Sequence, residues 1–179
     1  MKRVSILLAD GFEEIEALAP LDILRRLNYD VELISMTNSL IVESSHGVGI
    51  KADKFYDLEI VNSNAIVIPG GLPGATNLRD DNRVISLVKK FYDDKKLVAA
   101  ICAGPIVLGK ANILNENEAT SYPGFEDALK CKKYREDKVV VSNNVITSRG
   151  PATAFDFAFS IAKYLGLDTS KLLEGMLFK

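Results

Sequence analysis

Short, almost wholly apolar runs alternate along the chain with longer stretches in which apolar residues recur at helical spacing. The runs fall at residues 3–10, 31–35, 64–68 and 97–101, and each is typical of a strand buried on both faces of a sheet. Helical spacing is clear at 83–92 and, between the first two runs, in Ile15, Leu18, Ala19, Ile23, Leu24 and Leu27. Strands that alternate with helices favour right-handed βαβ units. We therefore predict an α/β sandwich of three layers, a mostly parallel sheet with helices on both faces.

Two segments depart from this alternation. Residues 40–58 alternate polar and apolar side chains and contain turn residues, which predicts a small β-hairpin added to the sandwich. Residues 119–137 are less regular and hold a short helical candidate at 125–132. The chain then shows two valine-rich runs, typical of a hairpin or of two successive strands, and two further helices; these elements are predicted at 139–142, 145–148, 152–165 and 169–175.

The apolar run 97–109 changes character at Cys102. The residues before it suit a buried strand, whereas Gly104 and Pro105 suit the first turn of a helix, where proline loses no hydrogen bond. Cys102 is therefore predicted at a sharp strand-to-helix joint, a nucleophile elbow above the carboxyl edge of the sheet. Helical N–H groups and the positive dipole end lower the pKa of a thiol in such a place, so we expect a value well below the ordinary one of about 8.5.

Composition narrows the class of protein. A chain of 179 residues suffices for one well-covered core, and we predict a single domain over 1–179. No apolar run approaches the length of about 18 residues that a membrane span needs. A net charge of −2 with scattered lysines gives no sign of a nucleic-acid partner. Two cysteines, Cys102 and Cys131, are typical of a reducing cytoplasm rather than of a disulfide framework.

We predict neither a cofactor nor a metal site. The loop after the run 64–68 contains Gly70, Gly71 and Gly74, but neither a G-x-G-x-x-G spacing nor a Gly-Lys-Ser/Thr sequence is present, which argues against nucleotide binding. No spacing of metal-ligating side chains stands out. The loop does offer backbone N–H groups. We take Gly71 and Ala103 as the donors that would hold an oxyanion or an oxidised sulfur beside the cysteine.

A reactive thiol needs a group that manages its proton, and the chain contains a single histidine. His46 lies in the predicted hairpin, far in topology from the strand ends, so we expect a surface or interface residue rather than the base. Glu13, Glu14 and Glu16 follow the first strand, and Glu16 falls beside the apolar stripe, where partial burial favours the protonated carboxyl group. We predict that a neutral Glu16 donates a hydrogen bond to a Cys102 thiolate.

Plainer interpretations exist for each of these residues. Most free cysteines are small buried hydrophobes, and Cys102 fits that description too. Acidic residues in a first helical turn complement the helix dipole without any catalytic role. Cys131 lies between Lys130 and Lys132 and is expected to be an incidental surface thiol, made somewhat reactive by its cationic neighbours.

Four segments, which follow one another over nearly the whole chain, resemble the ThiJ/PfpI family, and within it the branch of the protein deglycases. The resemblance implies a flavodoxin-like sandwich, a homodimer, and a reactive Cys102 beside a protonated Glu16. It also implies glyoxalase activity without glutathione, repair of methylglyoxal adducts, redox sensing or chaperone behaviour. Around these two residues we expect a pocket of Gly70, Tyr122, Arg149, Gly150 and Pro151. The segments are Gly11-Phe12-Glu13-Glu14-Ile15-Glu16, Ile68-Pro69-Gly70-Gly71, Ala99-Ala100-Ile101-Cys102-Ala103-Gly104-Pro105 and Thr147-Ser148-Arg149-Gly150-Pro151.

The chain departs from the family pattern at two places. Peptidase-like members carry a histidine directly after the cysteine, where this chain has Ala103, so we predict that it is not a protease. Some deglycase-like members carry a histidine in the irregular segment after the elbow, where this chain offers Tyr122 and Tyr134. Efficient glyoxalase turnover is therefore less strongly predicted than the site itself.

Our leading hypothesis is an enzyme that processes α-oxoaldehydes or early glycation adducts through Cys102 and Glu16. The alternative is a redox-sensing or chaperone-like protein in which Cys102 is oxidised to sulfinic acid without turnover. A third interpretation is a scaffold with an inert cysteine. For the homodimer, the hairpin that carries His46 and the first helix with Arg25 and Arg26 are the candidate contact surfaces.

Overall fold

A computed structural model describes residues 2–178 and has a central sheet of seven strands. Within that range the strands are β1 (Arg3–Leu8), β2 (Asp30–Ser35), β3 (Ile41–Glu43), β4 (Gly49–Lys51), β5 (Lys54–Phe55), β6 (Ala65–Ile68), β7 (Leu97–Ile101), β8 (Glu118–Ala119), β9 (Lys133–Tyr134), β10 (Val139–Ser142) and β11 (Val145–Ser148). The helices are α1 (Glu14–Arg26), α2 (Gly74–Asp80), α3 (Asn82–Asp93), α4 (Pro105–Lys110), α5 (Glu126–Leu129), α6 (Ala154–Tyr164) and α7 (Ser170–Gly175).

The central sheet has the strand order β10-β11-β7-β6-β1-β2-β5. All neighbouring strands in it are parallel except the antiparallel pair β10 and β11. Parallel strands place their carboxyl ends at one edge, where ligand sites form in open α/β sheets. The residues that follow β1, β6, β7 and β11 therefore meet at a common edge.

Helices cover both faces of the sheet. Alternate residues of β7 show this, because Val98 and Ala100 pack into a core with α3 and α4, whereas Ala99 and Ile101 pack into a second core with α1 and α6. All five residues of β7 are buried. This arrangement confirms the predicted α/β sandwich with its mostly parallel sheet.

The short elements follow the sequence less closely. Strands β3 and β4 form the predicted added hairpin, and β10 and β11 form the second one. The structure adds elements that the pattern did not indicate: β5 joins the edge of the main sheet, α2 precedes α3, and β8 pairs with β9 inside the irregular segment. Each of these elements has seven residues or fewer, so its periodicity is too brief to recognise.

The inward face of α1 differs from the prediction at its start. Ile15 is 48% exposed, whereas Glu16 is fully buried together with Ala17. The prediction that Ile15 belongs to the buried apolar stripe is therefore wrong. The helix turns its carboxyl group toward the sheet edge and leaves an isoleucine in solvent.

The described residues include no helix that has both the length and the apolar character to cross a bilayer.

Candidate active site

The polypeptide turns sharply at Cys102, between the end of β7 and the start of α4. Cys102 has a φ of 64°, in the left-handed region that residues with a side chain seldom occupy and that is often found at functional sites. Its backbone is held on both sides, because its N–H donates to the carbonyl of Ser148 at 3.0 Å and its carbonyl accepts from the N–H of Tyr122 at 2.9 Å. The predicted strand-to-helix elbow is confirmed.

Gly70, which follows β6, allows Glu16 and Cys102 to approach each other. A Cβ atom built on Gly70 would lie 2.6 Å from Cys102 Cβ and 2.6 Å from Glu16 Oε2, which no real side chain tolerates. Those two atoms are therefore no farther apart than twice 2.6 Å. The N–H of Gly70 also donates to Glu16 Oε2 at 2.8 Å, so the glycine binds the carboxyl group as well as making room for it.

Glu16 is oriented from its own helix as well. Its backbone N–H donates to Glu13 Oε2 at 2.8 Å, so that Glu13 caps α1. The second carboxyl oxygen of Glu16, Oε1, is buried and has no hydrogen-bond partner of good geometry among residues 2–178. A buried polar atom without a partner is costly unless a proton, a water molecule or a ligand satisfies it.

Burial raises the pKa of Glu16 to about 7, although hydrogen bonds from the Cys102 thiol and the Gly70 N–H act in the opposite direction. The negative charge of Glu13 adds to the increase. The prediction that burial shifts Glu16 toward its protonated form is confirmed. Near neutral pH the carboxyl group is present in both forms, as a group that exchanges protons needs to be.

The prediction for the thiol itself is wrong. Burial first, and then the charge of Glu16 and its hydrogen bond with the thiol, raise the pKa of Cys102 to about 12. Hydrogen bonds from the backbone N–H groups of Ala103 and Gly71 lower it, but they do not outweigh the burial. Helix α4 is only six residues long, so its dipole is weak. At rest the thiol keeps its proton and donates toward Glu16, which reverses the direction predicted for this hydrogen bond.

The two predicted backbone donors lie where the sequence placed them. The N–H groups of Gly71 and Ala103 both act on the sulfur of Cys102. Gly71 has a φ of 84°, and a Cβ atom on it would lie 2.4 Å from the backbone nitrogen of Glu13, so this position requires glycine. Their role toward an oxyanion stays a prediction.

The remaining pocket candidates are Tyr122, Arg149, Gly150 and Pro151, and two of them form a wall next to the elbow. Tyr122 is half-exposed, and its ring lies 3.3 Å from the point where a Cβ atom on Gly150 would stand, so these two residues form one wall next to the elbow. Arg149 follows β11 directly but donates from Nη1 to the carbonyl of Glu136 at 3.1 Å. Pro151 is exposed and begins a short 3₁₀ turn.

His46 is exposed, as predicted, but it is not remote from the acidic residues after β1. Its Nδ1 lies 3.1 Å from both carboxyl oxygens of Glu14. The hairpin reaches this position because the N–H of Ser45 donates to the carbonyl of Phe12 at 2.7 Å. His46, Glu14 and Glu13 form a group whose potential ligand atoms all lie within 4.8 Å of one another. Sequence spacing could not reveal this cluster, because it depends on how the hairpin docks.

Cys131 also differs from the prediction. It is half-buried and packs against the core that contains α3 and α4, and burial raises the pKa of its thiol. Cys131 is therefore not the surface thiol that the sequence predicted.

Several known proteins are similar to this chain over most of its length. The chain is 37% identical over 171 residues to the Parkinson disease protein 7 homolog of Danio rerio, covering 92% of this chain and 89% of that protein. It is 35% identical over 153 residues to YraA of Bacillus subtilis, whose name proposes a cysteine protease, covering 84% and 90%. The structure of oxidized Toxoplasma gondii DJ-1 matches with a TM-score of 0.86 and 38% identity over 92% of this chain and 91% of that one.

Two Arabidopsis thaliana relatives, DJ-1 homologs A and B, are each 36% identical to the chain over 163 residues, 90% of its length, and the chain spans 42% and 37% of their lengths. A family model described as the DJ-1/PfpI family matches residues 2–164. The elbow cysteine and the buried glutamate thus lie within the matched region. The protein belongs to the DJ-1/PfpI family.

Proposed function

We propose that the protein processes α-oxoaldehydes, such as methylglyoxal, or the early adducts they form with amines, without a cofactor. One observation carries this proposal: the buried Glu16 carboxyl group and the Cys102 thiol are brought together across Gly70. A nucleophile beside a group that exchanges protons near neutral pH is the minimum that carbonyl addition requires.

The first step is addition of sulfur to the aldehyde carbon. Ionised Glu16 accepts the thiol proton of Cys102 as the sulfur–carbon bond forms, and the carbonyl electron pair moves to oxygen. The N–H groups of Gly71 and Ala103 stabilise that developing negative charge. Return of the proton from Glu16 to the oxygen gives a neutral hemithioacetal. A thiol with a raised pKa serves this step, because its proton is transferred during the attack rather than before it.

The second step moves a proton between neighbouring carbons. Glu16 removes the hydrogen from the former aldehyde carbon while the adjacent ketone oxygen gains a proton, which gives an enediol. Glu16 then delivers its proton to the former ketone carbon, and the hydroxyl group on the sulfur-bearing carbon loses its proton, which gives a 2-hydroxy thioester. Water then cleaves the sulfur–carbon bond, releases the hydroxy acid and restores the thiol. For methylglyoxal the sum is one aldehyde and one water to one lactate, so no external oxidant or reductant takes part.

Lactate formation from methylglyoxal tests the proposal. Wild-type protein treated with a chelator is compared with Cys102→Ser, with Glu16→Gln and with Cys131→Ser as the matched thiol control. We expect turnover in the wild type and in Cys131→Ser alone. Full activity in Cys102→Ser or Glu16→Gln would refute the assigned roles, and no activity in any protein would refute the function.

A second candidate function, redox sensing at Cys102, is supported by the same two N–H donors, which suit the oxygens of an oxidised sulfur. One solved relative is Toxoplasma gondii DJ-1 in an oxidized form. Two equivalents of hydrogen peroxide convert the thiol to sulfinic acid and release two water molecules. Intact-mass measurement after mild peroxide treatment separates the functions. Addition of two oxygens at Cys102, together with negligible aldehyde turnover, would favour the sensor.

We also propose that the protein does not cleave peptides. The family contains a relative named for cysteine protease activity. In this chain, however, Ala103 follows the cysteine, and the only histidine, His46, is paired with Glu14. A peptidase nucleophile needs an adjacent base that can protonate the leaving amine. Hydrolysis of a fluorescent casein by wild type that is lost in Cys102→Ser would contradict this proposal.

For assembly and location we propose a homodimer in the cytoplasm. Ile15 at the start of α1 and Phe155 of α6 are exposed, and together with the partly buried Leu18 they form an apolar surface. Both cysteines are free thiols, which suits a reducing compartment. Sedimentation of the wild type and of Ile15→Glu tests the dimer. We expect the variant to sediment as a monomer, and an unchanged species would remove this surface from consideration.

A further inference from the structure

Glu13 lies immediately before α1 and takes no direct part in the proposed chemistry. Three hydrogen bonds join it to Glu16 and Gly70 in a closed ring. The N–H of Glu13 donates to the carbonyl of Gly70 at 3.0 Å, the N–H of Gly70 donates to Glu16 Oε2 at 2.8 Å, and the N–H of Glu16 donates to Glu13 Oε2 at 2.8 Å. Each residue donates one bond and accepts one, so the Glu16 carboxyl group is fixed relative to both the helix and the loop after β6.

We propose that Glu13 is a positioning residue of the site formed by Cys102 and Glu16, and that a carboxylate, rather than a neutral helix cap, is required there. Glu13 acts through Glu16, whose place and proton it controls. Its effect on turnover rests on the proposed function, whereas its effect on the proton of Glu16 can be measured without turnover.

The residue type is unusual for a helix cap. Short side chains such as serine and asparagine are preferred there, because they reach the free N–H groups of the first turn at little cost in side-chain entropy. Glu13 is 7% exposed, and burying a carboxylate costs free energy that a neutral cap largely avoids. A capping role alone therefore does not explain a glutamate at this position, whereas a need for negative charge beside Glu16 does.

The charge of Glu13 acts on the proton of Glu16. Burial raises the pKa of Glu16 to about 7, and the charge of Glu13 adds to the increase, whereas the Cys102 thiol and the Gly70 N–H act in the opposite direction. Like charges in one site resist joint ionisation. Glu13 therefore keeps part of Glu16 protonated near neutral pH, where the proposed proton transfers need both forms of the carboxyl group.

The ring also sets the place of the Gly71 N–H. A Cβ atom on Gly71 would lie 2.4 Å from the backbone nitrogen of Glu13, so the loop and the start of α1 are in close contact. The Gly71 N–H acts on the sulfur of Cys102. The hydrogen bonds that orient the Glu16 carboxyl group thus also position one of the predicted oxyanion donors, and a misplacement of about 1 Å in such groups can cost on the order of a hundredfold in rate.

The pH profile of Cys102 alkylation by iodoacetamide tests the effect on the proton. The thiol and Glu16 lose their first proton as a coupled pair, so the rate should rise with pH and level off near the pKa of Glu16, about 7. Glu13→Gln keeps an acceptor for the Glu16 N–H but removes the charge, so the rate should level off at a pH lower by on the order of half a unit or more. Glu13→Asp retains a charged cap and should behave like the wild type.

Glu14→Gln is the matched control, because Glu14 lies on the same turn but pairs with His46. The hydrogen bond and charge of Glu14, and then the charge of Glu13, raise the pKa of that imidazole, so a general effect of charge at the start of α1 would appear in both variants. We expect Glu14→Gln to retain the wild-type profile and Glu16→Gln to show no levelling near pH 7. An unchanged profile in Glu13→Gln, an equal shift in Glu14→Gln, or levelling that persists in Glu16→Gln would overturn the inference.

Lactate formation from methylglyoxal tests the positioning. Glu13→Ala removes both the acceptor and the charge, and kcat should fall by on the order of tenfold while KM stays within about twofold, because Glu16 transfers protons rather than binding the aldehyde. Glu13→Asp should restore most of kcat. A rise in KM at constant kcat would overturn the positioning role. The comparison of Glu13→Gln with Glu13→Asp does not depend on whether Glu13→Ala folds.

The two kinds of failure are distinguishable. Absence of lactate formation in the wild type would refute the proposed function, and the alkylation profile would still decide whether Glu13 controls the proton of Glu16. Lactate formation by the wild type, together with an unchanged alkylation profile in Glu13→Gln, would leave the function intact and overturn the inference.

Discussion

Cys102 and Cys131 are both half-buried thiols in one protein, and burial raises the pKa of each. Backbone N–H groups lower the pKa of both sulfurs. They belong to Ala103 and Gly71 in the case of Cys102, and to Cys131 itself, Lys133 and Ala119 in the case of Cys131. Hydrogen-bond donors alone therefore do not distinguish a reactive cysteine here. What differs is that Cys102 lies on a left-handed elbow beside a buried carboxyl group, and Cys131 has no such neighbour among the groups that act on its pKa.

The two cysteines differ in how the thiol can lose its proton. A buried thiol is a poor nucleophile because its thiolate is scarce. Glu16, with a pKa of about 7, can accept the proton while the sulfur reacts, so scarcity of the free thiolate matters less. Cys131 lacks this means of activation. The comparison predicts reactivity toward carbonyl compounds at one cysteine only.

The largest expected effect is the loss of turnover on removing the Cys102 sulfur. Cys102→Ser should lower the rate of lactate formation by on the order of a thousandfold or more, because serine is a much weaker nucleophile beside the same carboxyl group. Cys131→Ser should stay within about twofold of wild type, since its thiol has no part in the mechanism. A steady-state lactate assay measures both. Comparable losses in the two variants would abolish the distinction between the two thiols.

The next effect concerns Glu16→Gln, for which two readouts should move in opposite directions. Turnover should fall by about a hundredfold, because glutamine cannot exchange protons. Alkylation of Cys102 by iodoacetamide at pH 8 should become severalfold faster, because the negative charge that raises the pKa of the thiol is gone.

Peptide mass spectrometry follows alkylation of both cysteines in one sample, treated with a chelator. Cys131 is the internal standard, and its rate should not change. Slower alkylation of Cys102 in Glu16→Gln would mean that the carboxyl group activates the resting thiol, contrary to the electrostatics described above.

The two thiols also show which properties of the site could be predicted from the sequence. The elbow at Cys102 was predictable because it depends on a local pattern, five apolar residues followed by glycine and proline. The raised pKa of Glu16 was predictable in direction, since its helical position lies next to buried neighbours. The pKa of Cys102 was not, because it depends on how deeply the packed sheet edge buries the sulfur and on a charge 86 positions away in sequence.

Long-range docking accounts for the other differences. Contact between His46 and Glu14 requires the hairpin to fold over the start of α1, a geometry that no spacing encodes. Cys131 looked exposed between two lysines, yet its side chain turns into the core beside α3 and α4. Ile15 looked inward and is in solvent. In all three cases the neighbouring residues in the chain suggested an environment that packing then changed.

A third test enlarges Gly70, the residue that separates the Glu16 carboxyl group from the Cys102 side chain. Gly70→Ala should destabilise the protein by about 3 kcal/mol, the upper end of the range for overpacking, because its methyl group would meet Cys102, Glu16 and the backbone nitrogen of Ala103 at under 3.0 Å. Gly175→Ala, where the methyl group meets nothing within 4 Å, is the control. Urea unfolding measures both free energies. Equal stability of the two variants would show that the contact across Gly70 is looser than described.

The smallest predicted effect is the pH dependence of stability that Glu16 contributes. Its pKa is about 7 in the folded protein and near the ordinary glutamate value of 4.5 when unfolded, so the folded state holds the proton more tightly. The associated stability is fully present below pH 4.5 and is lost as the pH rises through 7. Between pH 5 and pH 7 the free energy of unfolding should fall by roughly 2 kcal/mol because of this group.

Urea unfolding with a chelator present measures this fall. In Glu16→Gln this fall should disappear, whereas Cys131→Ser should retain it. A fall of equal size in Glu16→Gln would assign it to other groups and would remove the evidence that this carboxyl group titrates in the range the mechanism needs.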